Sequence, residues 1–265
     1  MNRDPHSHKG DNGKVAVVGG SRHQHGAPLF SALAAEASGV DLIYVLLPDW
    51  HENVAKETSL NFQVIPLNGE SIQEEHIDTI LNILATMDIA VIGPGIAHGK
   101  ENIKTVQDII GASSCSLVLD ATALQPKTLR HVKGKKTVLT PHLGELERMG
   151  CPQKDLKHAA QESGAVILLK GPDDTVVSPD GRVQTIAGGN AGLTVGGTGD
   201  ALAGLIAGLI AQKMEPFEAA ILASRTIKKA GELLYAQKGY AYTTRDVISQ
   251  IPTLLFAKRP LSRDA

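Results

Sequence analysis

Aromatic side chains are scarce in this chain: phenylalanine, tyrosine and tryptophan make up 3% of its 265 residues. Proteins that grip nucleic acid by stacking bases need such platforms, so the shortage argues against that class. An excess of positive charge is also missing. The 26 Lys and Arg residues are set against 28 Asp and Glu, a net charge of −2. That balance gives no electrostatic reason to expect nucleic acid or an anionic membrane as partner. Cysteine is limited to Cys115 and Cys151, which offer neither metal-ligand spacing nor a disulfide framework, and a reduced, cytosolic setting follows. Cys151, just before Pro152, reads as structural. The first 12 residues are polar and hold no apolar signal core. One stretch, Ala191 to Ala211, has the length of a membrane span. It is interrupted by Asp200 and by five glycines ahead of Gly208, so it reads as a buried helix packed closely through Gly204 and Gly208.

What is present is a large apolar fraction, 42%, distributed in short runs. Lys14–Val18 reads as a buried strand ended by Gly19-Gly20, followed by a helix from Ala27 that stops at Gly39. Strands follow at Asp41–Leu47, Phe62–Pro66 and Asp88–Ile92. Ser71 and Glu74 have the spacing of a capping box, which predicts a helix running to Ala85. The alternation continues with a helix over Glu101–Ile110, a strand over Ser116–Asp120, a short helix after Pro126, and strands around Val138 and over Ala165–Leu169. Thr175–Val177 and Arg182–Ile186 flank Ser178-Pro179-Asp180-Gly181, a hairpin turn. Beyond Asp200 the chain is helical nearly to its end. This pattern predicts a three-layer αβα fold with a mostly parallel central sheet, as one domain over residues 1–265 with a poorly structured or extended arm over 1–12.

The most telling segment is Gly196-Gly197-Thr198-Gly199-Asp200, which leads into a small-residue helix. Unpaired N–H groups and the helix dipole make such an N-terminus an anion cradle. A carboxylate there opposes simple anion binding, but it suits a base that takes a proton from a hydroxyl attacking phosphorus. The glycines alone also fit a plain helix start capped by Thr198 or Asp200. In open α/β sheets, ligands bind beyond the carboxyl ends of the strands. Gly93-Pro94-Gly95, Asp120 to Leu124, Thr140 to Glu145 and Lys170 to Asp174 all fall at such ends.

Ser7-His8-Lys9-Gly10, Gly19-Gly20-Ser21, Gly26-Ala27, Gly93-Pro94-Gly95, Leu139-Thr140-Pro141-His142 with Gly144-Glu145, Leu169-Lys170-Gly171, Asn190 and Gly196 to Asp200 appear in order. Together they resemble the NAD(P)H-hydrate dehydratases of the ribokinase-like superfamily, over nearly the whole chain. The resemblance implies phosphorylation of the hydroxyl of NADH or NADPH hydrate by ADP or ATP, with Mg2+. Loss of phosphate then restores the ring. ADP giving AMP is favoured over ATP giving ADP. It implies Asp200 as the base and the N–H groups of Gly197, Thr198 and Gly199 as the anion hole. Lys170, Gly171, Pro172, Asp173, Asp174, Asn190 and Gly199 would bind the nucleotide. Ala27, Gly95, His142 and Asp200 would touch the hydrate, and Glu145 would reach the metal through water. A homo-oligomer is also implied, and the epimerase domain fused to many relatives is expected to be absent.

The chain departs from the family pattern in places. Leu143 stands where a second proline is common, Thr122 replaces a small or acidic residue, and Lys170–Thr175 runs one residue longer than in some relatives. A small-molecule kinase of the same superfamily would use Asp200 and the same cradle; His142 with Gly144-Glu145 and the Ser7–Gly10 segment favour the dehydratase. A nucleotide sensor without turnover gains nothing from a carboxylate beside the phosphates. His23 and His25 lack a nearby acidic or cysteine partner and do not read as a metal site.

Overall fold

The computed structural model describes residues 3–256. Nine strands form one sheet: β1 (Lys14–Val18), β2 (Leu42–Pro48), β3 (Phe62–Leu67), β4 (Ile89–Ile92), β5 (Ser116–Leu119), β6 (Thr137–Leu139), β7 (Val166–Leu169), β8 (Asp174–Val177) and β9 (Val183–Ile186). Their order is β3-β2-β1-β4-β5-β6-β7-β8-β9. The pairs from β3 through β7 are parallel, and the β8–β9 hairpin adds an antiparallel edge. The helices are α1 (Gly26–Ala37), α2 (Glu52–Thr58), α3 (Ile77–Leu84), α4 (Lys100–Ala112), α5 (Thr128–His131), α6 (Leu143–Arg148), α7 (Leu156–Ser163), α8 (Thr198–Ala211), α9 (Pro216–Lys238) and α10 (Thr244–Phe256).

Strand residues alternate between two cores because successive side chains point to opposite faces. Val15 and Val17 of β1 join the core under α1, α8, α9 and α10, whereas Ala16 and Val18 join the one under α3, α4 and α7. A sheet covered on both faces explains why its strands read as unbroken apolar runs. The result is the expected three-layer αβα architecture. Among the described residues, no helix is long and apolar enough to cross a membrane.

Helix α8 lies directly against α1. A Cβ on Gly204 would stand 2.0 Å from the Ser31 carbonyl oxygen, and one on Gly208 would stand 2.1 Å from Ser38 Oγ. The two glycines therefore set the closeness of the helix pair. Ser31 Oγ donates to the Asp200 carbonyl at 2.9 Å, which ties the start of α8 to α1.

Two expectations change. Ser71 does not cap a helix; it bridges to Ser21 and its Oγ accepts from Asn102 Nδ2 at 2.8 Å. The turn at Glu74–His76 is 3-10, closed by the Gln73 N–H donating to His76 Nδ1, and α3 begins at Ile77. The N-terminal arm, from residue 3 onward, forms turns anchored on Asp41, whose Oδ2 accepts from the N–H groups of Gly10 and Asn12. Met1 and Asn2 lie outside the described residues.

Candidate active site

The strand order reverses between β1 and β4, and that switch point opens a crevice beyond their carboxyl ends. Glycine is required there by close backbone approach. A Cβ on Gly19 would lie 2.3 Å from the Pro94 carbonyl oxygen, and one on Gly93 would lie 1.9 Å from the Asp120 carbonyl oxygen. Gly95 has φ of +71°, and a Cβ on it would lie 3.2 Å from the Ala27 Cβ. Ala27 and Gly95 are thus neighbours at this edge.

Next to the crevice, α8 begins with Gly197 as its N-cap at φ +98°. An added Cβ there would sit 2.3 Å from Phe30 Cδ2, so the position excludes side chains on two counts. No side chain caps α8. Thr198 Oγ1 donates instead to the Val195 carbonyl at 3.0 Å. The plain capped-helix alternative is therefore not what forms: the Thr198 N–H makes a long bond of 3.4 Å to the Val195 carbonyl, and the Gly197 and Gly199 N–H groups are open to an anion among the described residues.

Beneath this cradle lies a charged cluster gathered from the ends of β5, β6 and β7, with Glu145 from the first turn of α6 and Asp200 from the first turn of α8. Lys170 Nζ is 2.7 Å from Asp120 Oδ1 and 3.6 Å from Glu145 Oε2. A Cβ on Gly199 would be 3.4 Å from Lys170 Nζ. His142 and Glu145 form a reciprocal cap on α6: the His142 N–H donates to Glu145 Oε2 at 2.8 Å, and the Glu145 N–H donates to His142 Nδ1 at 3.2 Å. The Lys170 N–H donates to the Pro141 carbonyl at 2.8 Å, which brings the β6 and β7 ends together.

This cluster sets the charge states. Burial works against the Lys170 ammonium, yet Asp120, Glu145 and Asp200 hold its pKa above the ordinary lysine value. Burial, then repulsion by Asp120, pushes the Asp200 carboxyl up to about 7 against the pull of Lys170. A carboxylate poised near neutrality is matched to accepting a proton and holding it at working pH.

A cleft of about 890 Å³ opens over the cradle, lined by His142, Lys170, Gly171, Pro172, Asn190 and Gly197 to Gly199, with Gly188, Gly189, Leu193 and Lys228 on its far side. Most of the residues expected to hold a nucleotide therefore share one cavity. Asp173 is exposed on its turn, outside the lining. Asp174 is buried and faces away, its Oδ1 accepting from the Gly171 N–H at 2.9 Å and its Oδ2 from Ser224 Oγ at 2.7 Å. Asn190 Oδ1 accepts from the Gly192 N–H and from Tyr242 Oη. Ala27 and Gly95 lie on the crevice side instead. Glu145 is buried beneath His142.

Sequence reasoning missed the roles of Asp120 and Lys228. Asp120 was visible as an acid at the end of β5; its pairing with Lys170, 50 residues on, was not. Lys228 gave no signal beyond a basic residue inside a helix. Among the described residues, no three His, Cys, Asp or Glu converge as a metal cage. The His25 ring packs on His51 with centroids 5.2 Å apart.

The sequence profile of the NAD(P)H-hydrate dehydratases matches residues 15–253. An ADP-dependent (S)-NAD(P)H-hydrate dehydratase from Cenarchaeum symbiosum is 36% identical over 260 residues, covering 94% of this chain and 90% of the relative. A bifunctional NAD(P)H-hydrate repair enzyme from Methanopyrus kandleri is 34% identical over 263 residues, covering 96% of this chain and 51% of the relative. The chain thus spans about half the length of its bifunctional relatives. Among solved structures, the ADP/ATP-dependent NAD(P)H-hydrate dehydratase from Bacillus subtilis, co-crystallized with ATP/Mg2+, superposes with a TM-score of 0.80 at 25% identity, covering 96% of this chain and 92% of that one. With the ribokinase-like layering and the motif-bearing strand ends in agreement, the chain belongs to the NAD(P)H-hydrate dehydratase family.

Proposed function

We propose that this chain uses ADP to return NADH or NADPH hydrate to the intact dinucleotide. The observation that carries the reading is Asp200: a carboxyl with a pKa of about 7, at the mouth of an uncapped glycine-led helix and beside a charged lysine. The hydrate hydroxyl attacks the terminal phosphorus of ADP as Asp200 accepts its proton. The bond between that phosphorus and the bridging oxygen breaks, and AMP leaves. General-base help of this kind is worth roughly 10²–10⁴ in rate. The N–H groups of Gly197, Thr198 and Gly199 hold the transferring phosphoryl group, and Lys170 adds positive charge beneath it. The new ester then loses phosphate. The ring nitrogen lone pair drives that loss, and a proton departs from the neighbouring carbon to restore the double bond. Hydroxide is a poor leaving group and phosphate a good one, which is why the nucleotide is consumed.

Lys170, Gly171, Pro172, Asn190 and Gly199 bind the nucleotide in this reading, with Asp173 and Asp174 shaping the loop. Ala27, Gly95, His142 and Asp200 contact the hydrate. Mg2+ supplies charge neutralisation on the phosphates when bound. The lack of a protein cage among the described residues fits a metal carried largely by phosphate and water, reached by Glu145 through water. The reading includes a cytoplasmic, self-associating protein, and the buried free thiols of Cys115 and Cys151 are consistent with a reducing compartment. Chromatography of the products tests the chemistry. One AMP and one phosphate should appear for each dinucleotide restored; a phosphorylated product that accumulates without restoration would instead identify a kinase.

A further inference from the structure

Helix α9 reaches the cleft through Lys228, which is part of its lining. Ser224, Lys228 and Glu232 are spaced four residues apart, so they lie one above the other on the helix. Ser224 reaches one lip of the cleft, Glu232 the other, and Lys228 both. One lip is the Lys170–Asp174 loop between β7 and β8; the other is the Gly188-Gly189 pair after β9. Buried Lys228 directs its Nζ at the Pro172 carbonyl at 2.7 Å, with the Gly171 and Gly188 carbonyls each at 3.4 Å. Asp174 Oδ1 stands 3.8 Å from the same ammonium. Ser224 Oγ donates to the other oxygen of Asp174, and the Gly189 N–H donates to Glu232 Oε1 at 3.1 Å. The second lip is seated directly on the lysine stem, since a Cβ on Gly189 would lie 3.3 Å from Lys228 Cγ.

A buried ammonium must find acceptors for its protons. Lys228 finds them on both lips at once, so its protons are satisfied only while the lips keep their separation. The geometry points to Lys228 as a positioning residue for the nucleotide: it spans the cleft and fixes its width, with Ser224 and Glu232 holding the two lips from either side. This assignment rests on a nucleotide occupying that cleft. It predicts an effect confined to the nucleotide, because the crevice at Ala27 and Gly95 is built by other elements.

The test uses the full chain with Lys228→Met, which keeps the stem and removes the charge. The KM for ADP, and the Kd for ADP titrated calorimetrically without hydrate, should rise by about tenfold or more, while kcat and the KM for NADH hydrate stay within about twofold. Ser224→Ala should move the ADP constants the same way by about two- to fivefold, which keeps the question open to test if Lys228→Met folds poorly. Arg225→Met, at an exposed position of the same helix, controls for lost charge and should change neither. Unaltered ADP affinity in both folded variants would overturn the assignment. So would equal losses for ADP and hydrate accompanied by a lowered Tm, the mark of a merely structural residue. Wild-type protein that binds ADP yet restores no dinucleotide would defeat the dehydratase reading and leave the role of Lys228 to be decided by the Kd alone. Wild-type protein that binds no ADP would overturn both.

Discussion

Exchanging Asp200 for Asn removes a carboxylate whose ionisation the fold opposes, so the variant should be inactive and yet more stable. The side chain titrates at 3.8 in a model peptide and at about 7 in the folded protein. Because the folded value is raised, ionising Asp200 costs nothing below about pH 4, and the cost grows between about pH 4 and 7. It is complete above that, where the folded state has lost a proton it holds more tightly than the unfolded chain. At 1.36 kcal/mol per pH unit, the full difference is about 4 kcal/mol. The helix N-terminus returns up to about 1 kcal/mol of favourable dipole interaction to the carboxylate, and relaxation returns more. A net gain of about 2 kcal/mol for Asp200→Asn is therefore expected at pH 8. For a chain of this size, that raises Tm by roughly 4–8 °C. Lys170 keeps Asp120 and Glu145 as counter-charges in the variant, so no buried ammonium is abandoned. Thermal unfolding of both proteins at pH 5 and pH 8, without ligands, decides the matter. The stabilisation should be larger at pH 8. A variant less stable than wild type at pH 8, or a Tm difference independent of pH, would refute the reasoning.

Other consequences follow from the same geometry. The pH profile of kcat/KM should rise through about pH 7 and level off above it as Asp200 ionises; a profile flat from pH 5 to 8 would contradict its role as base. Asp120→Ala strips the closest counter-charge from buried Lys170, and urea unfolding should show a loss of about 3 kcal/mol together with a fall in activity. Gly204→Ala forces a methyl against the Ser31 carbonyl and pushes α8 away from α1. Chemical denaturation should report a loss of about 2 kcal/mol or more, with a larger fall in kcat than that of a surface Gly→Ala change such as Gly111→Ala.

Much of the fold is legible in the sequence because the sheet is covered on both sides. Strands such as Val15–Val18 and Ile89–Ile92 must then be apolar throughout, and unbroken runs ended by glycine or proline are easy to see. Helix α2 left no such trace, since Ala55 is its only buried residue. Helix α7 buries Leu156, Ala159, Ala160 and Ser163 at helical spacing, but small residues on that face muted the pattern. The Ser71 and Glu74 pair misled because tertiary pairing with Ser21 and Asn102 took Ser71 away from any helix end. In the site, Asp200 and the glycine cradle form a contiguous segment and were visible. The Asp120–Lys170 ion pair and the Lys228 brace each join residues at least 40 positions apart, and only the fold brings them together.

The most direct test of the account follows absorbance at 340 nm after mixing the protein with NADH hydrate, Mg2+ and ADP, with ATP in a parallel cuvette and Asp200→Asn as control. Recovery of the dihydronicotinamide signal with ADP, faster than with ATP and lost in the variant, is the predicted result. No recovery with either nucleotide from folded, nucleotide-binding protein, or full recovery in Asp200→Asn, would contradict it.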